Sequence, residues 1–119
     1  MASHRLERIN AQIQRELSLI INQKAKDKRL HNSTFGITDV KATQDLKVAK
    51  VYISVIGTQQ EKEDIINALN NAKGFLRSSL GHVLKTHTTP ELIFKIDESV
   101  EYGMHIDKIL SDLKHENNQ

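Results

Sequence analysis

The sequence predicts an α+β sandwich, with helices packed on one face of a three-stranded sheet. Three observations carry that prediction. Apolar residues recur at spacings of three and four in an opening segment and again in the middle of the chain, the period of amphipathic helices. Three short segments instead alternate apolar and polar residues and are rich in β-branched side chains, as strands are. No repeat, low-complexity tract or Pro/Gly-rich linker interrupts the 119 residues, a length suited to one domain. Residues 1–114 are accordingly expected to form a single domain and residues 115–119 a short polar tail.

The first predicted helix covers residues 5–25. Leu6, Ile9, Ile13, Leu17, Ile20 and Ile21 supply its apolar stripe, and Arg5, Arg8, Gln12 and Arg15 form a second stripe beside it. Residues 26–34 are polar, contain Asn and Ser, and read as a loop. Val40 and Ala42 alternate with Asp39 and Lys41. Val51, Ile53 and Val55 alternate with Tyr52, Ser54 and Ile56. Gln44-Asp45-Leu46 leaves few residues between these segments, so the pair reads as a hairpin. Thr58-Gln59-Gln60-Glu61 matches a capping box, in which the threonine hydroxyl accepts from a free helical N–H and the glutamate reaches back to the cap.

The helix opened by that box buries Ile65, Ile66 and Leu69. Asn70-Asn71-Ala72-Lys73-Gly74 is poor helix sequence, and helical spacing resumes at Phe75, Leu76, Leu80, Val83 and Leu84. Two helices joined by a kink at Ala72, Lys73 and Gly74 are therefore expected, with Gly74 supplying backbone freedom or close approach. Pro90 closes the next loop. Leu92, Phe94 and Ile96 then alternate with Ile93 and Lys95 as the third strand. Asp97 or Ser99 can cap a last helix with Tyr102, Ile106, Ile109, Leu110 and Leu113 as its core positions.

Composition excludes several function classes. Without cysteine there is no disulfide framework and no thiolate metal site, which suits a cytoplasmic location. No apolar run approaches the roughly 20 residues that span a bilayer, and the N-terminal residues lead into a charged amphipathic segment instead of an apolar signal core. No G-x-S-x-G elbow, G-x-x-x-x-G-K-[ST] loop or G-x-G-x-x-G turn is present. His4, His31, His82, His87, His105 and His115 show no H-x-x-x-H spacing and read as scattered surface residues, so no metal or other cofactor is expected. Asp45, Asp97 and Asp107 fall at a turn, a helix cap and an exposed helix face, positions that explain them without acid–base chemistry. No catalysis is expected.

Charge is unevenly spread although the net value is only +2. Residues 1–50 carry ten Lys and Arg against five Asp and Glu, whereas residues 97–119 carry six acids against Lys108 and Lys114. A domain with one basic and one acidic side can orient on a polyanion. The chain has no Trp, two Tyr and three Phe, most at apparent core positions, so a sheet face that stacks bases is not expected. Phosphate contacts remain. Arg5, Arg8 and Arg15 on the first helix are one candidate group, and Lys73, Gly74 and Arg77 at the kink are the other. There, backbone N–H groups at a helix start and an arginine fork suit phosphate. Lys24, Lys26 and Lys28 extend this patch or form an ordinary basic loop. Taken singly, each group also reads as a solvated helix surface.

The residues resemble the bacterial ribosome-binding factor A family over nearly the whole chain. The similarity rests on Ile37-Thr38-Asp39-Val40-Lys41, on Asp45-Leu46-Lys47-Val48-Ala49-Lys50-Val51-Tyr52-Ile53-Ser54, and on Leu69-Asn70-Asn71-Ala72-Lys73-Gly74-Phe75-Leu76-Arg77. Pro90-Glu91-Leu92-Ile93-Phe94-Lys95-Ile96-Asp97-Glu98-Ser99, with Gly103 and Ile106, completes the pattern. The Ala-x-Gly interruption followed by Phe-Leu-Arg is its most specific part. The resemblance implies a type II KH-like fold, in which an Ala-x-Gly kink replaces the GXXG loop. It also implies a monomeric assembly factor that binds the immature small ribosomal subunit and helps 16S rRNA mature, including at its 5′ end, above all in the cold. The sequence ends soon after its last predicted helix, so functions residing in the long charged tail of some members are not expected. Two other classes stay open: a protein-interaction domain using the acidic last helix, whose binding would respond little to salt, and an RNA-modifying enzyme.

Overall fold

A computed structural model describes residues 2–24, 26–32, 34–84, 86 and 88–99. The elements run α1 (Ala2–Lys24), α2 (Arg29–Asn32), β1 (Thr34–Ala42), β2 (Val48–Ile56), α3 (Gln59–Asn71), α4 (Lys73–Val83) and β3 (Glu91–Ile96). The predicted order is therefore present through the third strand. The last helix predicted from Tyr102 to Leu113 lies outside the described residues.

The sheet has the order β1-β2-β3. β1 and β2 are antiparallel, whereas β2 and β3 run parallel because the helical pair α3 and α4 carries the chain back between them. Alternation along the strands sets the two faces. Val40, Ala42, Ala49, Val51, Ile53, Val55, Leu92 and Phe94 are buried, against Ile13, Leu17, Ile65, Leu69, Leu76 and Leu80 from the helices. Lys41, Lys50, Tyr52 and Lys95 occupy the intervening positions and so face away from the helices.

The hairpin turn follows from Thr43 and Asp45. The Thr43 N–H donates to the Val48 carbonyl at 2.8 Å, and the Leu46 N–H to the Thr43 carbonyl at 2.9 Å. Asp45 Oδ1 accepts from the Thr43 hydroxyl at 2.6 Å and from the Lys47 N–H at 3.1 Å. These donors hold the Asp45 carboxyl below its ordinary pKa, the Thr43 hydroxyl most strongly. Leu46 closes the turn in the left-handed region at φ 59. The capping box of α3 is also present: Thr58 Oγ1 accepts the Glu61 N–H at 3.2 Å, and Glu61 Oε1 accepts the Thr58 N–H at 3.3 Å.

Two features were not expected. The loop predicted over residues 26–34 contains a single helical turn, α2. Asp27 fixes it by accepting the Arg29 N–H at 3.0 Å and the Arg29 guanidinium at 2.7 Å, and Leu30 is buried in the core below. β1 also starts earlier than the alternation around Val40 suggests, and its register shifts between Ile37 and Asp39. At that bulge the Thr38 hydroxyl donates to Asp97 Oδ2 at 2.6 Å, tying the edge strand to the end of β3.

β1 is an edge strand, and α1 covers it. Asn10 Oδ1 accepts the Ala42 N–H at 2.9 Å, and Gln14 Nε2 donates to the Ile37 carbonyl at 3.0 Å. These side chains satisfy outward-facing backbone groups that would otherwise invite pairing with another chain.

Candidate nucleic-acid interface

The basic stripe of α1 is set by its spacing. At 3.6 residues per turn, Arg5, Arg8 and Arg15 fall on one face, and Asn10 and Gln14 fall nearly opposite. Since Asn10 and Gln14 bond to β1, the arginines are turned away from the sheet edge. All three are exposed. Among the described residues Arg5 and Arg8 have no hydrogen-bond or ion-pair partner. Arg15 approaches Glu16 at 3.7 Å with its side chain 68% exposed, a contact of little energetic weight. Leu19, 44% exposed, continues the same face.

The far end of α1 meets the bend between α3 and α4. α1 packs against α4, and Lys24 and Lys26 share a groove of about 370 Å³ with Ala72 and Phe75. Arg5 and Lys24 are nineteen positions apart, or about 28 Å along the helix axis at 1.5 Å per residue. At about 100° per residue Lys24 lies about 180° around the axis from Arg15, so it leaves the arginine face and turns towards the bend. The candidate cations are therefore two groups, the arginines on the outer face of α1 and Lys24 and Lys26 beside the bend. Lys28 is exposed in the segment before α2 and does not line that groove.

At the bend itself, the interruption is confined to Ala72, at φ −89 and ψ 0. Its N–H still donates to the Ala68 carbonyl at 3.0 Å, and its carbonyl accepts the Leu76 N–H at 2.8 Å. Lys73 and Gly74 already belong to the first turn of α4. No glycine of the described residues has positive φ, and a Cβ placed on Gly74 would meet nothing within 4 Å. The bend therefore does not use the backbone freedom or close approach expected of Gly74. Close approach occurs further along the same helix, at Gly81, where a Cβ would lie 2.8 Å from Thr89 Oγ1.

The cations of α4 differ from those of α1 in having partners. Arg77 donates from Nε and Nη2 to the Thr89 carbonyl, at 3.1 and 2.9 Å. Lys73 Nζ lies 3.6 Å from Glu91 Oε1. Both side chains hold the segment entering β3 against α4, so the fork assigned to phosphate at Arg77 is partly occupied. Phe75, read from its spacing as a core residue, is 46% exposed, and Val83 is 41% exposed. The helical period could not separate these two from Leu76 and Leu80, because only the position of α1 decides which flank of α4 is covered.

The carboxylates serve the fold. Asp45 is held in the hairpin turn, and Asp97 Oδ1 accepts the Ser99 N–H at 3.1 Å. Asp107 lies outside the described residues. Among the described residues no group of three or more His, Asp or Glu side chains could hold a metal ion.

Comparison with known proteins identifies the family and the fold. Residues 5–110 match the profile of the ribosome-binding factor A family. The chain is 44% identical to ribosome-binding factor A of Clostridium botulinum (strain Loch Maree / Type A3) over 114 residues, 96% of this chain and 94% of that one. It is 42% identical to the Clostridium tetani protein over 96% of this chain and 93% of that one. Among solved structures, a solution structure of a putative ribosome-binding factor A from Thermotoga maritima aligns with a TM-score of 0.69 at 30% identity. That alignment covers 78% of this chain and 87% of that one. The crystal structure of the Thermus thermophilus factor aligns with a TM-score of 0.66 at 24% identity, over 76% and 93%. The fold is thus the KH-like α+β fold of those structures. By profile, identity and fold, the chain belongs to the ribosome-binding factor A family.

Proposed function

We propose that this chain is a non-catalytic assembly factor that binds the immature small (30S) ribosomal subunit and assists maturation of 16S rRNA. Family membership supports the ribosome as the partner. The Thermus thermophilus factor, as a homology model, has been fitted into a cryo-electron microscopy map of a 30S complex, and this chain shares its fold. The observation that carries the reading is the row of exposed arginines on α1, on the helix whose last residue, Lys24, lines a groove with the α3–α4 bend. Cations without internal partners can engage phosphates without first giving up contacts that hold the fold.

In this reading residues 1–114 act as one RNA-binding unit, as a monomer, in the cytoplasm, and residues 115–119 as a tail. Arg5, Arg8, Arg15 and Lys24 contact rRNA phosphates along α1. Lys73, Gly74 and Arg77 contact them at the bend, where backbone N–H groups at the start of α4 add to the attraction. Neighbouring ribosomal proteins complete the site. Binding requires no ATP, because a protein that prefers one RNA arrangement shifts the population towards it by its differential affinity. That effect matters most in the cold, where misfolded rRNA escapes slowly, and it extends to processing of the 16S 5′ end.

Co-sedimentation with free immature small subunits, mature small subunits and complete ribosomes tests the proposal. Preference for the free or immature small subunit is expected, with a steep dependence on salt. Equal binding to all three, or binding indifferent to salt, contradicts it.

A further inference from the structure

The groove between the end of α1 and the α3–α4 bend has a chemistry that phosphate contacts alone do not use. Phe75 lines it with nearly half of its surface exposed. Leu19, Ile56 and Val83 are the other large apolar side chains exposed among the described residues, and none of them lines this groove. Beside Phe75 the lining from the described residues is small and apolar, from Ala68 and Ala72, and leaves room against the ring. Asn71 adds an amide that can both donate and accept. Lys24 and Lys26 bring two ammonium groups. Among the described residues Asp27 is the one acid of the lining, and its carboxylate is engaged by the Arg29 guanidinium at 2.7 and 3.1 Å.

We propose that this groove holds an unpaired RNA base, stacked on the Phe75 ring, with Asn71 at its edge and Lys24 and Lys26 on the flanking phosphates. The inference rests on the rRNA-binding reading above and names the form of RNA at one end of that surface. An aromatic ring, an uncrowded apolar lining and nearby cations together match the stacking platform and electrostatic track of single-strand binding. The volume of about 370 Å³ lies in the range of small-ligand pockets, about 300–1,000 Å³. A duplex keeps its base faces covered and could not use the ring. An apolar side chain from a ribosomal protein could use the ring but would leave two ammonium groups unmatched.

The test uses the full chain and purified immature small subunits at fixed salt. The chain contains no tryptophan, so Phe75→Trp introduces a single indole at the groove. Phe75→Trp is expected to bind as the original does, with its emission quenched on binding. Phe75→Leu, which stays apolar but cannot stack, is expected to lose about fivefold to a hundredfold in affinity. Thermal melting of both variants should match the original, since the ring is half-exposed. Undiminished binding by Phe75→Leu, or an indole that shifts to the blue without quenching as it would against an apolar protein surface, overturns the base-stacking site. These two results leave phosphate binding along α1 intact. Failure of the original chain to bind subunits at any salt removes the parent reading and this one together.

Discussion

The stripe on α1 and the bend between α3 and α4 carry similar charge but treat it differently. Arg5 and Arg8 are exposed, and among the described residues they have no partner to give up. Lys73 and Arg77 are committed, to Glu91 and to the Thr89 carbonyl. A ligand phosphate gains the full attraction of the first pair, but at the bend it competes with contacts already made. The bend thus offers backbone, a groove and an aromatic ring more than it offers idle charge. Sequence spacing marked both regions as basic; only partners distinguish a binding cation from a tethering one.

This contrast can be sharpened by substitution, taking the largest effect first. Leu76 is fully buried directly after the bend, and Leu76→Ala should cost about 2–5 kcal/mol in urea unfolding. A loss under about 1 kcal/mol would mean that the bend is not packed as described. Arg77→Ala removes both hydrogen bonds to Thr89 and should lower stability by about 1 kcal/mol, whereas Arg8→Ala should leave it within about 0.5 kcal/mol. Equal effects on unfolding would erase the distinction between the two regions.

The glycines separate in the same way. Gly74→Ala should raise stability by up to about 1 kcal/mol, because it improves helix propensity and meets no neighbour. Gly81→Ala should lower stability, because the new methyl would press on Thr89. If the Gly74 change lowers the melting temperature instead, the bend depends on that glycine after all. The smallest effect concerns acid. Asp45 has its carboxyl held below the ordinary 3.8, chiefly by the Thr43 hydroxyl. A depressed carboxyl stabilises the fold fully above its ordinary value and loses that contribution as pH falls through the folded value. Asp45→Asn should therefore flatten the decline in stability below about pH 3.8, and an unchanged acid limb would contradict the turn geometry.

Elements fixed by local chemistry were readable from sequence. The capping box of α3, the Asp45 turn and the apolar stripe of α1 each rest on residues within four or five positions of one another, where spacing carries the information. Elements fixed by distant partners were not. Asp27 and Arg29 build a helical turn where polar composition suggested a loop, because Leu30 has core to enter. Asn10 and Gln14 carry no local signal of their role, yet they cover the edge of β1. Phe75 and Leu76 are neighbours with similar apolar character, yet one is half-exposed and the other buried. Of the candidate site, the basic residues of α1 were legible as a pattern. The tethering of Lys73 and Arg77, and the groove beside Phe75, depend on how α1 and the segment entering β3 lie against α4, which no local spacing encodes.

The central claim, that rRNA is gripped on the α1 side of the domain, is tested most directly by moving the same charge loss from one face to the other. Lys41 and Lys50 lie directly opposite each other in the β1–β2 register, on the sheet face away from the helices. The salt dependence of binding to immature small subunits should be measured for Arg5→Gln with Arg8→Gln, and for Lys41→Gln with Lys50→Gln. The helix pair should lower the slope of log affinity against log salt by about 1.4–1.8, as loss of two phosphate contacts requires, and the sheet pair should leave it unchanged. The opposite result, a slope that falls only when the sheet lysines are removed, would put the RNA on the other side of the molecule.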